Sequence, residues 1–149
     1  PPRSNPRSGK RISAQCSMPS ALRWRRRDAR LNRPMTHTGS CHCGQVSFEA
    51  EGDIQQVMEC NCSHCSRKGI LLWFVPRAQF KLLKGADSLN TYKFNKRIIA
   101  HQFCKTCGCE PFAYGVDPTG AEMAAINARC LTDVELSSLT RIPFDGRSL

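Results

Sequence analysis

Seven cysteines in three tight clusters constrain this chain more than any other feature: Cys41-His42-Cys43, Cys60-Asn61-Cys62-Ser63-His64-Cys65 and Cys104-Lys105-Thr106-Cys107. Thiols paired this closely suit chelation of a common ion better than long-range bridging. Structural zinc takes four such ligands in a closed tetrahedron, whereas catalytic zinc takes three and keeps one position open. Seven is four plus three. The count therefore predicts two zinc ions, one in a closed site and one in an open site. Ten cysteines in 149 residues also fit a secreted disulfide framework. However, the first residues lack the apolar stretch of roughly 7–15 residues that marks a secretory signal. The expected compartment is a reducing one, the cytoplasm.

Charge divides the chain. Residues 1–35 hold ten Lys or Arg and one acid, Asp28, for a net +9. Residues 36–149 hold twelve basic and eleven acidic residues, for a net +1. The basic segment has few apolar residues and no helical or strand period, so it is expected to be disordered on its own. It fits a nucleic-acid arm, an organellar transit peptide, a segment that folds onto a partner, or an over-extended reading frame. We favour the last, because Met35-Thr36-His37 precedes the first cluster as a natural start would. Cys16 lies in this segment without a cluster partner. The near-neutral domain argues against nucleic-acid binding by the domain itself. No run approaches the roughly 18 apolar residues of a membrane helix.

From residue 36 on, the pattern is that of short strands. Gln45–Glu51 alternates, with Val46, Phe48 and Ala50 on one side. Ile70–Val75 is a continuous apolar run closed by Pro76, and predicts a buried strand with Trp73 and Phe74 in the core. Further strands are expected at 57–61, 80–83, 89–94, 98–103, 112–114 and 123–127. Thr132 with Glu135 three residues later matches a capping box, which predicts one short C-terminal helix over Asp133–Leu139. The expected fold is mainly β, with small antiparallel sheets stapled by zinc.

Cys41 and Cys43 with Cys104 and Cys107 would staple the start of the domain to its later half, as the closed site. Cys60, Cys62 and Cys65 would then form the open one. An incoming thiol can take the fourth position there and lose its proton, giving a nucleophile for a small aldehyde. His64, between Cys62 and Cys65, is the candidate proton donor. His42 and His101 read as spacers or outer donors. Lys68 and Arg97 are candidates to hold carboxylates of the thiol. Cys109 reads as a packed thiol, a spare ligand or a resolving thiol, and Cys130 as a small buried hydrophobe.

Three motifs recur in order: Gly39-Ser40-Cys41-His42-Cys43-Gly44-x-Val46, Cys60-x-Cys62-x-x-Cys65 and Phe103-Cys104-x-x-Cys107-Gly108. Over about residues 36–145 the chain resembles the glutathione-dependent formaldehyde-activating family. The stretches Phe80–Gly85 and Thr91–Asn95, with His101-x-Phe103-Cys104, are most similar to its centromere-protein-V-like branch. The resemblance implies a zinc β-tent fold, structural ligands Cys41, Cys43, Cys104 and Cys107, and a catalytic zinc on Cys60, Cys62 and Cys65. It also implies carbon–sulfur lyase chemistry that adds the cosubstrate glutathione to formaldehyde. Two other classes compete: a non-catalytic zinc-binding interaction module, and a redox or metal-buffering protein. The three-ligand cluster favours the enzyme, because a purely structural site would be completed by a fourth residue.

Overall fold

Residues 35–148 are described by the computed structural model. The basic segment, with Cys16 and the reading-frame expectation, lies outside the described residues. The strands are β1 (Thr36–Ser40), β2 (Ser47–Glu51), β3 (Gln56–Cys60), β4 (Leu72–Pro76), β5 (Phe80–Lys84), β6 (Leu89–Tyr92), β7 (Ala100–Cys104), β8 (Phe112–Val116), β9 (Glu122–Asn127) and β10 (Thr140–Phe144). β1-β2-β5 form a small sheet, and the larger one runs β10-β3-β4-β9-β8-β7-β6. All pairings are antiparallel except β10 with β3, which is parallel. The fold is thus mainly β, as expected, with β1 and β10 added to the strands legible by pattern.

The core lies between the two sheets. The alternation of β2 buries Phe48 and Ala50 completely, with Val46 just before them. Phe48 and Phe80 of the small sheet meet Phe112 of the large one, with ring centroids 5.6 and 4.6 Å away. Phe48 also lies across its register partner Gly39 on β1. A Cβ at Gly39 would fall 2.2 Å from that ring. Gly39→Ala should therefore push a fully buried aromatic off its seat and destabilise the domain by about 1–3 kcal/mol. Urea unfolding of the zinc-loaded protein checks this, and an unchanged midpoint would contradict it.

The C-terminal helix is shorter than expected and lacks its predicted cap. A single 3-10 turn covers Leu136–Ser138, where the Glu135 carboxylate accepts from the Ser137 amide. Thr132 is drawn away to β1, its hydroxyl 2.9 Å from that of Thr38, and Asp133 accepts from His37 Nδ1 at 3.0 Å. Tertiary partners thus took both residues that would have opened a helix. The α-helical turn of the described chain lies elsewhere, as α1 (Cys65–Lys68), ended by Gly69 at φ 64°.

Candidate metal centre and cavity

The four-thiol cluster joins the two sheets. Cys41 and Cys43 sit in the turn after β1, held by Cys41 N to Val46 O at 3.0 Å. Cys104 ends β7, and Cys107 sits in the turn closed by Gly108 N to Cys104 O at 2.9 Å. Cys43 Sγ is 3.6 Å from the Sγ atoms of both Cys41 and Cys104, and all four sulfurs lie within 4.8 Å of one another. Sulfurs on a tetrahedral ion with 2.3 Å bonds stand about 3.8 Å apart, so the residues fit zinc. The Val46 amide donates to Cys41 Sγ at 3.3 Å. The thiols divide their protons unevenly. Cys43 is pushed up to about 12: a backbone hydrogen bond from Gln45 lowers it, but burial and hydrogen bonds to the neighbouring thiols outweigh that. Cys107 comes down to about 6, because hydrogen bonds from the amides of Cys43 and Cys109 and from neighbouring thiols overcome its burial. Four thiols this close do not all ionise without a cation among them.

The three-thiol cluster is built on one loop. Cys60 ends β3, Cys62 lies in the connection, and Cys65 opens α1. Their sulfurs also lie within 4.8 Å of one another. The Cys62 amide donates to Cys60 Sγ and the Cys65 amide to Cys62 Sγ, each at 3.4 Å. This is a local geometry that a C-x-C-x-x-C spacing can make without help from other elements. Distant residues then hold it. Asn61 Nδ2 donates to Asp145 at 2.8 Å, and Arg147 bonds Asn61 through its amide and its Nε. Gly146 packs so closely that a Cβ there would lie 2.5 Å from Cys60 Sγ.

Beside this loop lies a buried acid that the sequence reading did not single out. Glu110, 6% exposed, accepts from His64 Nε2 at 2.9 Å, His101 Nδ1 at 2.8 Å and Lys68 Nζ at 2.7 Å. Burial alone would raise its pKa. The hydrogen bonds of His101 and Lys68 and the charges of the histidines instead bring it down to about 2. The carboxylate is therefore ionised and only accepts, which places a proton on His64 Nε2 and another on His101 Nδ1. His101 Nε2 is left buried without a partner. These two histidines and Glu110 also have the composition of a metal site, but the Lys68 ammonium already supplies the positive charge there.

A cavity of about 420 Å³ opens at the three thiols and reaches His101 and Arg97. A second cavity, of about 620 Å³ beside Gln55 and Ile142, contains none of the clustered thiols or histidines. The structure therefore brings Cys60, Cys62, Cys65 and Arg97 together, and separates out two other predicted site residues. Lys68 is engaged by Glu110. His64 is not among the residues lining the cavity; its ring packs on Phe94 and His101, with centroids 5.3 and 4.1 Å away. Burial is the largest influence on His64 and lowers its pKa, against the opposing pull of Glu110. Phe74, expected in the core, is 43% exposed and lines the cavity, while Trp73 is buried as expected. Cys109 and Cys130 pack together, with sulfurs 3.5 Å apart.

Fold and site together define a small two-sheet β domain with one closed and one open thiol cluster, each of a composition and spacing that could hold zinc. Residues 36–141 match the glutathione-dependent formaldehyde-activating enzyme family, and the chain belongs to that family. It is also similar to a crystal structure of a Rhodobacter sphaeroides protein, at 30% identity and a TM-score of 0.63 over 71% of this chain and 97% of that one.

Proposed function

We propose that the domain is a zinc-dependent enzyme of the carbon–sulfur lyase class. It adds a thiol such as glutathione to formaldehyde or a related small aldehyde. The observation that carries this reading is that three mutually close thiols and His101, which is hydrogen-bonded to the buried Glu110, line one cavity. Cys60, Cys62 and Cys65 would hold one zinc, and Cys41, Cys43, Cys104 and Cys107 the other. Zinc on the three-thiol cluster would lower the pKa of an external thiol that takes its fourth position.

The chain's own groups account for the proton. His101 Nε2 takes it from the entering thiol, and Glu110 stabilises the imidazolium that results, in the manner of a carboxylate behind a catalytic histidine. The sulfur adds to the carbonyl carbon, the carbon–oxygen π bond opens, and the proton returns from His101 to the new hydroxyl. His64, expected as the donor, is reassigned to holding Glu110 in place alongside Lys68. Arg97, which lines the cavity, remains the candidate for a carboxylate of the thiol. The stretches 80–85 and 91–95 support membership of the centromere-protein-V-like branch. The seven clustered thiols would need a reducing compartment such as the cytoplasm to stay available for zinc. Among the described residues no helix is long and apolar enough to cross a membrane.

Exchange NMR of S-hydroxymethylglutathione at chemical equilibrium tests the reading. Zinc-loaded protein should speed exchange, Cys62→Ser should not, and His101→Ala should lose about 10²-fold or more. A fully zinc-loaded wild type that neither binds glutathione nor accelerates exchange would favour the interaction-module alternative.

A further inference from the structure

The cavity at the three thiols has walls of the wrong chemistry for a molecule as small and polar as formaldehyde. Met58, Ile70, Leu72, Phe74, Ile98 and Ile99 line it. Phe74, Ile98 and Ile99 are 43%, 56% and 48% exposed, so the cavity presents a wet apolar surface. That surface becomes favourable only when something apolar covers it.

Polar groups are gathered at particular places on this wall. They are the three thiols, His101 and the loop Asn95–Arg97. This loop is unusual in its backbone: Asn95 and Arg97 stand at φ 50° and 60°, in the region that non-glycine residues rarely adopt. It runs directly into Ile98 and Ile99. A sparing set of polar groups on an otherwise apolar concavity is the pattern of a site for a small molecule with an apolar body and one reacting end.

We infer that the carbonyl substrate of this centre is an aldehyde with an apolar body, whose chain lies against Phe74, Ile98 and Ile99 while its carbonyl faces the thiol cluster and His101. The inference rests on the addition reaction proposed above. The balance is unchanged: the thiol sulfur bonds the aldehyde carbon, the π bond opens, and the thiol proton ends on the new hydroxyl, with no oxidant or reductant.

The test uses the zinc-loaded full chain. Backbone amide shifts are followed as hexan-1-ol, which does not react with thiols, is added. Exchange NMR then compares glutathione with hexanal against glutathione with formaldehyde. Hexanol should shift the amides of Ala113, Val116 and Ala125, which also line the cavity, and the acceleration for hexanal over its uncatalysed rate should exceed that for formaldehyde by about tenfold. Ala125→Leu should lower the hexanal-to-formaldehyde ratio by about tenfold. Ile98→Ser, at an exposed position that the fold does not depend on, should lower it by about fivefold. Acceleration of formaldehyde alone, with no hexanol shifts at these amides, would overturn the inference and leave the addition reaction standing. Hexanol shifts without acceleration of either aldehyde would overturn the aldehyde as occupant and, with it, the reaction.

Discussion

Cys104→Ser is expected to leave the domain without a cooperative unfolding transition at room temperature, whereas Cys62→Ser should retain one. Cys104 is fully buried at the end of β7, and its cluster partners Cys41 and Cys43 come from the turn after β1. The four-thiol cluster is thus a tie between the two sheets. A structural zinc site supplies folding free energy on the order of 10 kcal/mol, comparable to the whole stability of a domain this size. A serine hydroxyl is a poor ligand and would sit in a fully buried place. Cys62, by contrast, belongs to a single loop whose backbone is held independently through Asn61, Asp145 and Arg147. Circular dichroism during thermal unfolding, with zinc content measured on the same samples, separates the two. Equal loss of folding in both variants would show that the division into tie and open site is wrong.

Glu110→Gln should destabilise the zinc-loaded protein by about 3 kcal/mol at pH 7. The amide keeps the shape of the carboxylate but offers one acceptor oxygen in place of two. It also turns an NH₂ group toward donors on His64, His101 and Lys68. The dependence on pH carries the diagnosis. The pKa of Glu110 lies near 2 in the folded protein and near the ordinary carboxylate value of about 4.3 in the unfolded chain. Because the folded value is depressed, its contribution is fully present above about pH 4.3 and is lost as pH falls toward 2. The difference in stability between wild type and variant should therefore shrink over that window. The comparison is confined to the acid range in which both proteins still hold zinc, because the fold depends on it. A difference that does not shrink at all between pH 6 and the lowest pH at which both retain zinc would show that Glu110 acts by packing alone.

The thiol clusters and most strands were legible because both have a short period. A C-x-C-x-x-C loop closes on itself through its own amides, and the alternation of Val46, Phe48 and Ala50 declares which face is covered. What could not be read depended on partners far along the chain. β1 and β10 have no strong alternation of their own and exist through pairing, β1 with β2 and β10 with β3. Thr132 and Asp133 carry a sound local signal for a helix that lost to Thr38 and His37. The run Ile70–Val75 reads as buried on both sides. In the fold, Trp73 and Val75 face the core, while Leu72 and Phe74 face the cavity. An apolar sequence does not distinguish a packed face from a ligand-binding one. Glu110 left one trace, an acid set between the Cys104–Cys107 turn and the apolar strand Phe112–Val116. Only the folded chain shows that His64, His101 and Lys68 converge on it.

The parallel pairing of β10 with β3, and the clasp of Asp145, Gly146 and Arg147 over the Cys60–Cys62 loop, also bear on the order in which the protein is made. On the ribosome, all seven clustered cysteines emerge before residue 108. From then until residue 147 has appeared, the outer edge of β3 is an unpaired strand next to a loop of reactive thiols. Such an edge invites pairing with another chain, and the thiols beside it are open to oxidation. The nascent domain is therefore most vulnerable after its metal ligands are in place and before its last strand arrives. A ribosome stalled at residue 139 would present an intact set of ligands without the segment that packs over Cys60 and Cys62.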